Sequence, residues 1–543
     1  MPINFGGLNW AIVITYLIGN LFLGYMMSRR VKTSEDYYLG DRSAPWWAIG
    51  ISVVATYVSA LSFLGGPAWA YGDGMAALAI HINYPLVMFV VIAVFLPFFY
   101  NSGVASIYDY LERRFGRNSR TIMSLLFLIS QSITAASILT ATAVVITFIT
   151  GIDARIAICI MTVIVLVYTL MGGMNAVIWT DVLQGVILFI GAGIILAYLL
   201  GAVSPMASAL ETLSQNGKLN PLDTSLDFSV APTVWAGVFA MTLFHITVYG
   251  SNQMMVQRAL AAKNIGDAKK SYLLMGYAAF FIYFLFFFVG ALLYVHFKGQ
   301  PFDQPNEIIL RFADSLAVPG LMGILAAAVL SASMSSLSSA FNSLATISIT
   351  DFYKSFFKKD GSEAHYLKTS RIMTIIWAVL VIPMAFAFVS SKGSILETLT
   401  AVGSYFVGAK LAMFGMGFFS KHTTERGLLV GVAAGFIGIY VFKLGIPFTD
   451  WQPPQIAWPW FVVIGGAINV VVSWIASLLL DGFQKDWHPQ TVIGQIKSFQ
   501  DSGKTEKAGG WYIVPGRIDR PVWGLLGLFV LIIIFLGWFA TLG

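Results

Sequence analysis

Apolar runs of about twenty residues recur along almost the whole chain, and this excludes most folds. Twenty helical residues, each rising 1.5 Å, match the roughly 30 Å hydrocarbon core of a bilayer. Fourteen such runs can be read, at about 8–27, 46–70, 75–100, 122–149, 156–172, 180–201, 233–255, 272–296, 318–346, 372–391, 396–419, 427–446, 459–480 and 522–541. Backbone polar groups in lipid must be satisfied within the protein, which leaves helices or a closed barrel. The short alternating segments of a barrel do not occur. With 57% of its 543 residues hydrophobic and 11% charged, the chain is expected to be an all-α, polytopic membrane protein of 14 transmembrane helices.

Charge placement tests that reading. If the N-terminus is outside, alternate loops face the cytoplasm and should carry the lysines and arginines. These loops hold Arg29, Arg30, Lys32 and Arg42; Arg113, Arg114, Arg117 and Arg120; and Arg258, Lys263, Lys269 and Lys270. The later ones hold Lys354, Lys358, Lys359, Lys368 and Arg371; Lys421 and Arg426; and Lys485, Lys497, Lys504, Lys507, Arg517 and Arg520. Together they make 25 of the 32 basic residues. A missed span would invert the pattern downstream, and no inversion occurs. Both termini are expected outside an inner (plasma) membrane. Met1–Met27 does not read as a cleavable signal, because its apolar run is long and its basic residues follow rather than precede it.

Several function classes drop out. The longest soluble segments, about 202–232 and 481–521, are shorter than the roughly 50 residues a domain usually needs. Ser502-Gly503-Lys504-Thr505 resembles the end of a phosphate-binding loop, but the first glycine and the preceding strand are missing. The net charge of +6 sits in short loops and does not point to nucleic acid. Cys159 is the single cysteine, which excludes a disulfide framework or a thiolate metal site.

Two spans carry unusual chemistry. Ser331, Ser333, Ser335, Ser336, Ser338, Ser339, Asn342 and Ser343 crowd one apolar run. On a helix Ser331, Ser335, Ser338 and Asn342 share a face, with Ser336, Ser339 and Ser343 beside it. Such a row suits helix–helix packing, and it also suits an alkali cation, which takes uncharged oxygen ligands. The second span, Ser52 to Pro67, mixes small polar residues with Gly65, Gly66 and Pro67. That pattern fits either an ordinary kink or a broken helix whose freed carbonyls coordinate a cation near the midplane.

The chain resembles the sodium:solute symporter family, especially the bacterial sodium/galactose and sodium/sialic acid symporters. The resemblance is carried by Thr33-Ser34-Glu35-Asp36-Tyr37-Tyr38, Ala44-Pro45-Trp46-Trp47-Ala48-Ile49-Gly50 and Ala176-Val177-Ile178-Trp179-Thr180-Asp181-Val182-Leu183-Gln184. Val256-Gln257-Arg258-Ala259-Leu260-Ala261-Ala262 and the serine stretch complete it. It implies a leucine-transporter-like core of two inverted five-helix repeats, spans 2–6 and 7–11. By residue, 1–45 would hold the first helix and a cytoplasmic loop. The first repeat lies within 46–255, which also takes in span 7. The second lies within 233–446, with span 12 peripheral, and 447–543 supplies the last peripheral helices.

The resemblance also implies a sodium site on the carbonyls of Ala55, Val58 and Ala332 and the hydroxyls of Ser335 and Ser336. A second sodium, present in some relatives, would fall on Asp181, Ser338 and Ser339. As the start of the sixth span, Asp181 is equally placed to be a carboxylate favoured by a helix dipole. One or two sodium ions are thus the expected coupling ions. Ser59, Ser62, His81, Thr134 and His245 match solute-contacting positions. The galactose symporter has Gln, Glu and Asn in place of Ser62, His81 and His245, and the sialic acid symporter has an arginine in place of Thr134. Neither specificity transfers. Leu64 to Tyr71 is closer to the Gly-x-Pro-Ala-x-x-Tyr pattern of relatives that carry carboxylates and other anions.

Lys410 is the only charged residue in the interior of the eleventh span. A lysine at a helix centre costs about 2.5–3.5 kcal/mol on insertion scales, so it is expected either to attract an anionic solute or to pair with a buried acid. The reading is a sodium-coupled symporter importing a small polar organic solute. An organic anion (a carboxylate or sialic-acid-like solute) is preferred, with a monosaccharide as the alternative. Its partners are sodium, the solute and the lipid bilayer. A channel would want a selectivity filter, and none is present; a serine or metal hydrolase would want Gly-x-Ser-x-Gly or His-Glu-x-x-His, and neither occurs.

Overall fold

A computed structural model describes residues 5–28, 42–102, 106–389, 394–447 and 449–543. Arg29, Arg30, Lys32, Lys392 and the Thr33–Tyr38 motif lie outside the described residues. Among the described residues, eleven helices are long and apolar enough to cross a membrane. Shorter apolar helices lie at Trp46–Tyr57, Ala154–Val167 and Ala236–Gly250. The only strands among the described residues are Lys507–Ala508 and Trp511–Tyr512, an antiparallel pair. They close through Gly509 and Gly510, whose φ of 57° and 85° suits a tight hairpin turn.

The core is arranged around the serine-rich helix Leu321–Ile347, buried along nearly its whole length. Peripheral helices show the reverse pattern: Ile14, Ile18 and Phe22 of Gly6–Ser28 are exposed, as are Leu479 of Trp460–Asp481 and Ile534 of Arg520–Phe539. An apolar rim around a hydroxyl-bearing centre is the arrangement a membrane solvent favours.

The second span is broken. Its first half, Trp46–Tyr57, ends at Val58 with ψ of 83°, and the chain restarts as a π-helix at Leu61–Gly65 that runs into Gly66–Asp73. The break precedes the glycine pair because Ser59 competes for the backbone: its hydroxyl accepts the Leu61 N–H at 3.2 Å, as serine side chains do where a helix is given up. Gly65 has a packing role, since a Cβ there would lie 2.8 Å from the Leu396 backbone nitrogen.

One expected boundary is corrected. Helical residues run without interruption over Ala154–Ala202, which rises about 74 Å and exceeds one hydrocarbon core, so the link expected between the runs at 156–172 and 180–201 is itself helical and not a loop. Nothing in Gly173–Trp179 removes a backbone donor, and the Thr180 hydroxyl bonds back to the Ala176 carbonyl at 2.8 Å. Asp181 is therefore interior to a helix and not at its N-terminus.

Segments expected on one face do meet. Arg120 pairs with Asp351 at 2.7 Å, the Arg114 guanidinium donates to the Ser420 carbonyl at 2.8 Å, and Lys269 pairs with Asp519 at 2.6 Å. At the opposite end, the Met75 N–H donates to the Lys218 carbonyl at 2.8 Å and the Ala457 N–H to the Phe228 carbonyl at 2.8 Å. These contacts join segments that the charge pattern assigns to one side and, separately, segments that it assigns to the other.

Candidate functional site

Breaking the second span releases specific carbonyls. The Ser59 N–H turns to the Tyr57 carbonyl at 3.0 Å, so Ala55 loses its donor four residues on. The Ser62 N–H turns to the Ser59 carbonyl at 3.0 Å, and Val58 loses its donor likewise. The Thr56 carbonyl is met from the other helix: the Ser336 hydroxyl donates to it at 2.8 Å and to the Ala332 carbonyl at 3.2 Å. The break and the serine helix therefore touch through Ser336 and the Thr56 carbonyl, one residue along the chain from Ala55.

Ser335 points to a different wall. Its hydroxyl donates to Asp181 Oδ1 at 2.5 Å. Asp181 Oδ2 accepts from the Ser52 hydroxyl at 2.5 Å and from Thr56 at 3.3 Å. The Arg258 guanidinium donates to the same oxygen at 3.0 Å, and both charged side chains are buried. Ser338 and Ser339 each donate to the Ser335 carbonyl, at 3.0 and 2.7 Å. Two protons are thereby directed: Asp181 takes that of Ser335, and the Thr56 and Ala332 carbonyls share that of Ser336. Both serine oxygens keep lone pairs for a further partner. Among the described residues, no group of three or more His, Cys, Asp or Glu could hold a metal ion, so any cation held here would be met chiefly by hydroxyls and carbonyls.

Beside the break lies a cavity of about 130 Å³, lined by Thr56, Ser59, Ser62, Thr134 and Ser336 together with Tyr57, Gln131, Asn252 and Tyr283. Three of the expected solute positions, Ser59, Ser62 and Thr134, line it. His81 and His245 do not. They stand behind it: the His81 ring stacks on Tyr283 with centroids 3.8 Å apart, and the Tyr283 hydroxyl in turn meets Ser62 at 3.1 Å. His81 Nδ1 meets the Tyr84 hydroxyl at 2.9 Å. His245 Nδ1 lies 2.7 Å from Asn83 Oδ1. The Asn83 amide donates to two carbonyls, so its oxygen accepts and His245 Nδ1 carries the proton.

Lys410 is also off the cavity. It is buried and bonds to the Ser130 hydroxyl. Among the described residues it forms no ion pair, so the buried acid expected as one of its two partners is not found. Ser130 sits one helical turn from the cavity, its carbonyl accepting the Thr134 hydroxyl at 3.0 Å. Gln131, Asn252, Tyr283 and Arg258 were not singled out in the sequence. Only Arg258 had a signal, as part of Val256–Ala262, and charge placement had put it in a loop.

A family model described as sodium:solute symporter family matches residues 37–435. The sodium/sialic acid symporter of Proteus mirabilis is 28% identical over 453 residues, covering 81% of this chain and 90% of that protein. The human sodium-coupled monocarboxylate transporter 2 is 26% identical over 441 residues, covering 79% and 71%. A solved structure of a Na+-coupled sialic acid symporter, substrate-bound and outward-open, is 26% identical with a TM-score of 0.79, covering 89% of this chain and all of that one.

Proposed function

This chain belongs to the sodium:solute symporter family, and we propose that it imports a small organic anion with sodium through the site where the broken helix meets the serine helix. The observation that carries the proposal is a shared wall. Thr56 and Ser336 line the solute cavity, and the same Ser336 hydroxyl donates to the Thr56 carbonyl. An ion held by the carbonyls of Ala55, Val58 and Ala332 and the oxygens of Ser335 and Ser336 would order the break, and with it one side of the solute site. Sodium then raises solute affinity, and solute raises sodium affinity by the same factor.

Solute contacts are assigned to Ser59, Ser62 and Thr134, with His81 and His245 positioning Tyr283 and Asn83 from behind. The anion reading is supported by the carboxylate- and sialate-carrying relatives and by Lys410, a buried lysine near the cavity with no acid partner among the described residues. A monosaccharide is the second reading, favoured by the absence of a charged side chain from the lining. The proposed architecture is fourteen crossings of the plasma membrane with both termini outside. Inverted repeats fall within 46–255 and 233–446, and the remaining helices of 1–45 and 447–543 are peripheral.

The test is a thermal-shift screen of the purified protein against carboxylates, sialic acids, vitamins and sugars, each in sodium and in choline. A true solute stabilises through mass action, and only with sodium present. Ser336→Ala should abolish the sodium dependence. Stabilisation by sugars alone would select the second reading. An equal response in choline would reject both.

A further inference from the structure

Arg258 is among the largest fully buried side chains of the protein, and its contacts coincide with the second set of cation ligands. Its guanidinium donates to Asp181 Oδ2 at 3.0 Å and to the Ser339 hydroxyl, two of the three residues in that set. Nε donates to the Ser52 hydroxyl at 2.9 Å, and Nη1 to the Met254 carbonyl at 2.7 Å. One buried carboxylate neutralises one cation. A sodium ion at Asp181 beside an unmoved guanidinium would leave an uncompensated charge in the protein interior, where charges are costly unless paired.

We propose that Arg258 is a tethered competitor of the second coupling cation: an alkali ion gains Asp181, Ser338 and Ser339 only when the guanidinium withdraws. The arm that carries it also reaches the cavity. Arg258 lies in the helix Gln253–Leu260, capped by the Asn252 side chain through the Met254 N–H. Asn252 and Met254 both line the cavity. A solute that draws on these two residues moves the helix from which the guanidinium extends. Solute occupancy and second-ion occupancy are thus linked through a single turn of backbone.

This inference rests on the proposed sodium symport, and the experiment separates the two. Sodium is titrated by thermal shift against purified full-length protein without solute, with choline holding ionic strength constant. The wild type should follow one binding component. Arg258→Gln should gain a second, at least tenfold tighter than any further component in the wild type, and Arg258→Gln combined with Asp181→Asn should lose it again. Ser336→Ala placed on Arg258→Gln should remove the first component and leave the second. A monodisperse Arg258→Gln protein with the wild-type sodium curve overturns the inference while Ser336 dependence keeps symport intact. No sodium response in any variant overturns both. A measurement on the wild type guards against a misfolded variant: amide exchange across 253–260 should rise at least threefold when sodium and a solute found in the screen are saturating, and unchanged exchange overturns the proposal.

Discussion

Replacing Lys410 with methionine should trade solute selectivity for stability. The ammonium is buried and rests on the Ser130 hydroxyl. Ser130 lies four residues, about 6 Å of rise, from the cavity residue Thr134. With one hydrogen bond of about 2.9 Å added, a carboxylate in the cavity is placed about 9 Å from the ammonium. At an effective dielectric constant of about 20, the attraction is 332/(20 × 9), about 1.8 kcal/mol, or about twentyfold in affinity. A neutral solute gains nothing from it. Methionine fills similar volume, removes the insertion cost of a central lysine, and leaves Ser130 its bond to the Phe127 carbonyl at 3.2 Å. The expected result is a higher melting temperature, about twentyfold weaker binding of an anionic solute, and unchanged binding of sodium and of any neutral analogue. Calorimetric titration of solutes at saturating sodium measures their affinities, a separate sodium titration measures the ion's, and a thermal melt reads the stability. Anion affinity within threefold of wild type, or an equal loss for neutral and anionic solutes, would refute the electrostatic argument.

Two further substitutions probe other parts of the molecule. Tyr283→Phe removes the hydroxyl that meets Ser62 but keeps the ring stacked on His81; a net hydrogen bond of about 0.5–1.5 kcal/mol predicts solute affinity reduced about 2- to 13-fold with sodium affinity unchanged, read by titration of each ligand. Asp351 is buried and accepts from Arg120 at 2.7 Å, Ser124 at 2.5 Å and Ser106 at 3.0 Å, so Asp351→Asn should loosen that end of the bundle. Arg120 retains Asp109 and Glu112, which holds the loss to the lower end of the roughly 3–5 kcal/mol for a broken buried pair. Faster amide exchange at 106–124 and 348–357 is the expected signature, and unchanged exchange there would count against the pairing.

What the sequence disclosed and what it hid divide along one physical line. A helix made of alternating small hydroxyls inside an apolar run is visible locally, because period and composition are properties of neighbours in the chain. The same holds for the serine-and-glycine mixture of the second span, and the two meet through Ser336 and Thr56. Lys410 was equally visible as an anomaly, yet its partner Ser130 is 280 positions away and carries no mark of its own. Arg258 was worse than invisible. Charge placement rewards putting an arginine in a loop, and only Asp181, 77 residues earlier, reveals that it is buried. The cavity gathers Gln131 and Tyr283 from two helices and Asn252 from the cap of a third, and no short window of sequence holds more than one of them. The histidines show a subtler limit. His81 and His245 lie behind the cavity, with side chains directed toward Tyr84 and Asn83 and not into it. In the proposed site, selectivity would depend on which hydroxyl protons are already committed. The Thr56 carbonyl and Asp181 take those of Ser336 and Ser335, so a cation held there would meet lone pairs and not protons.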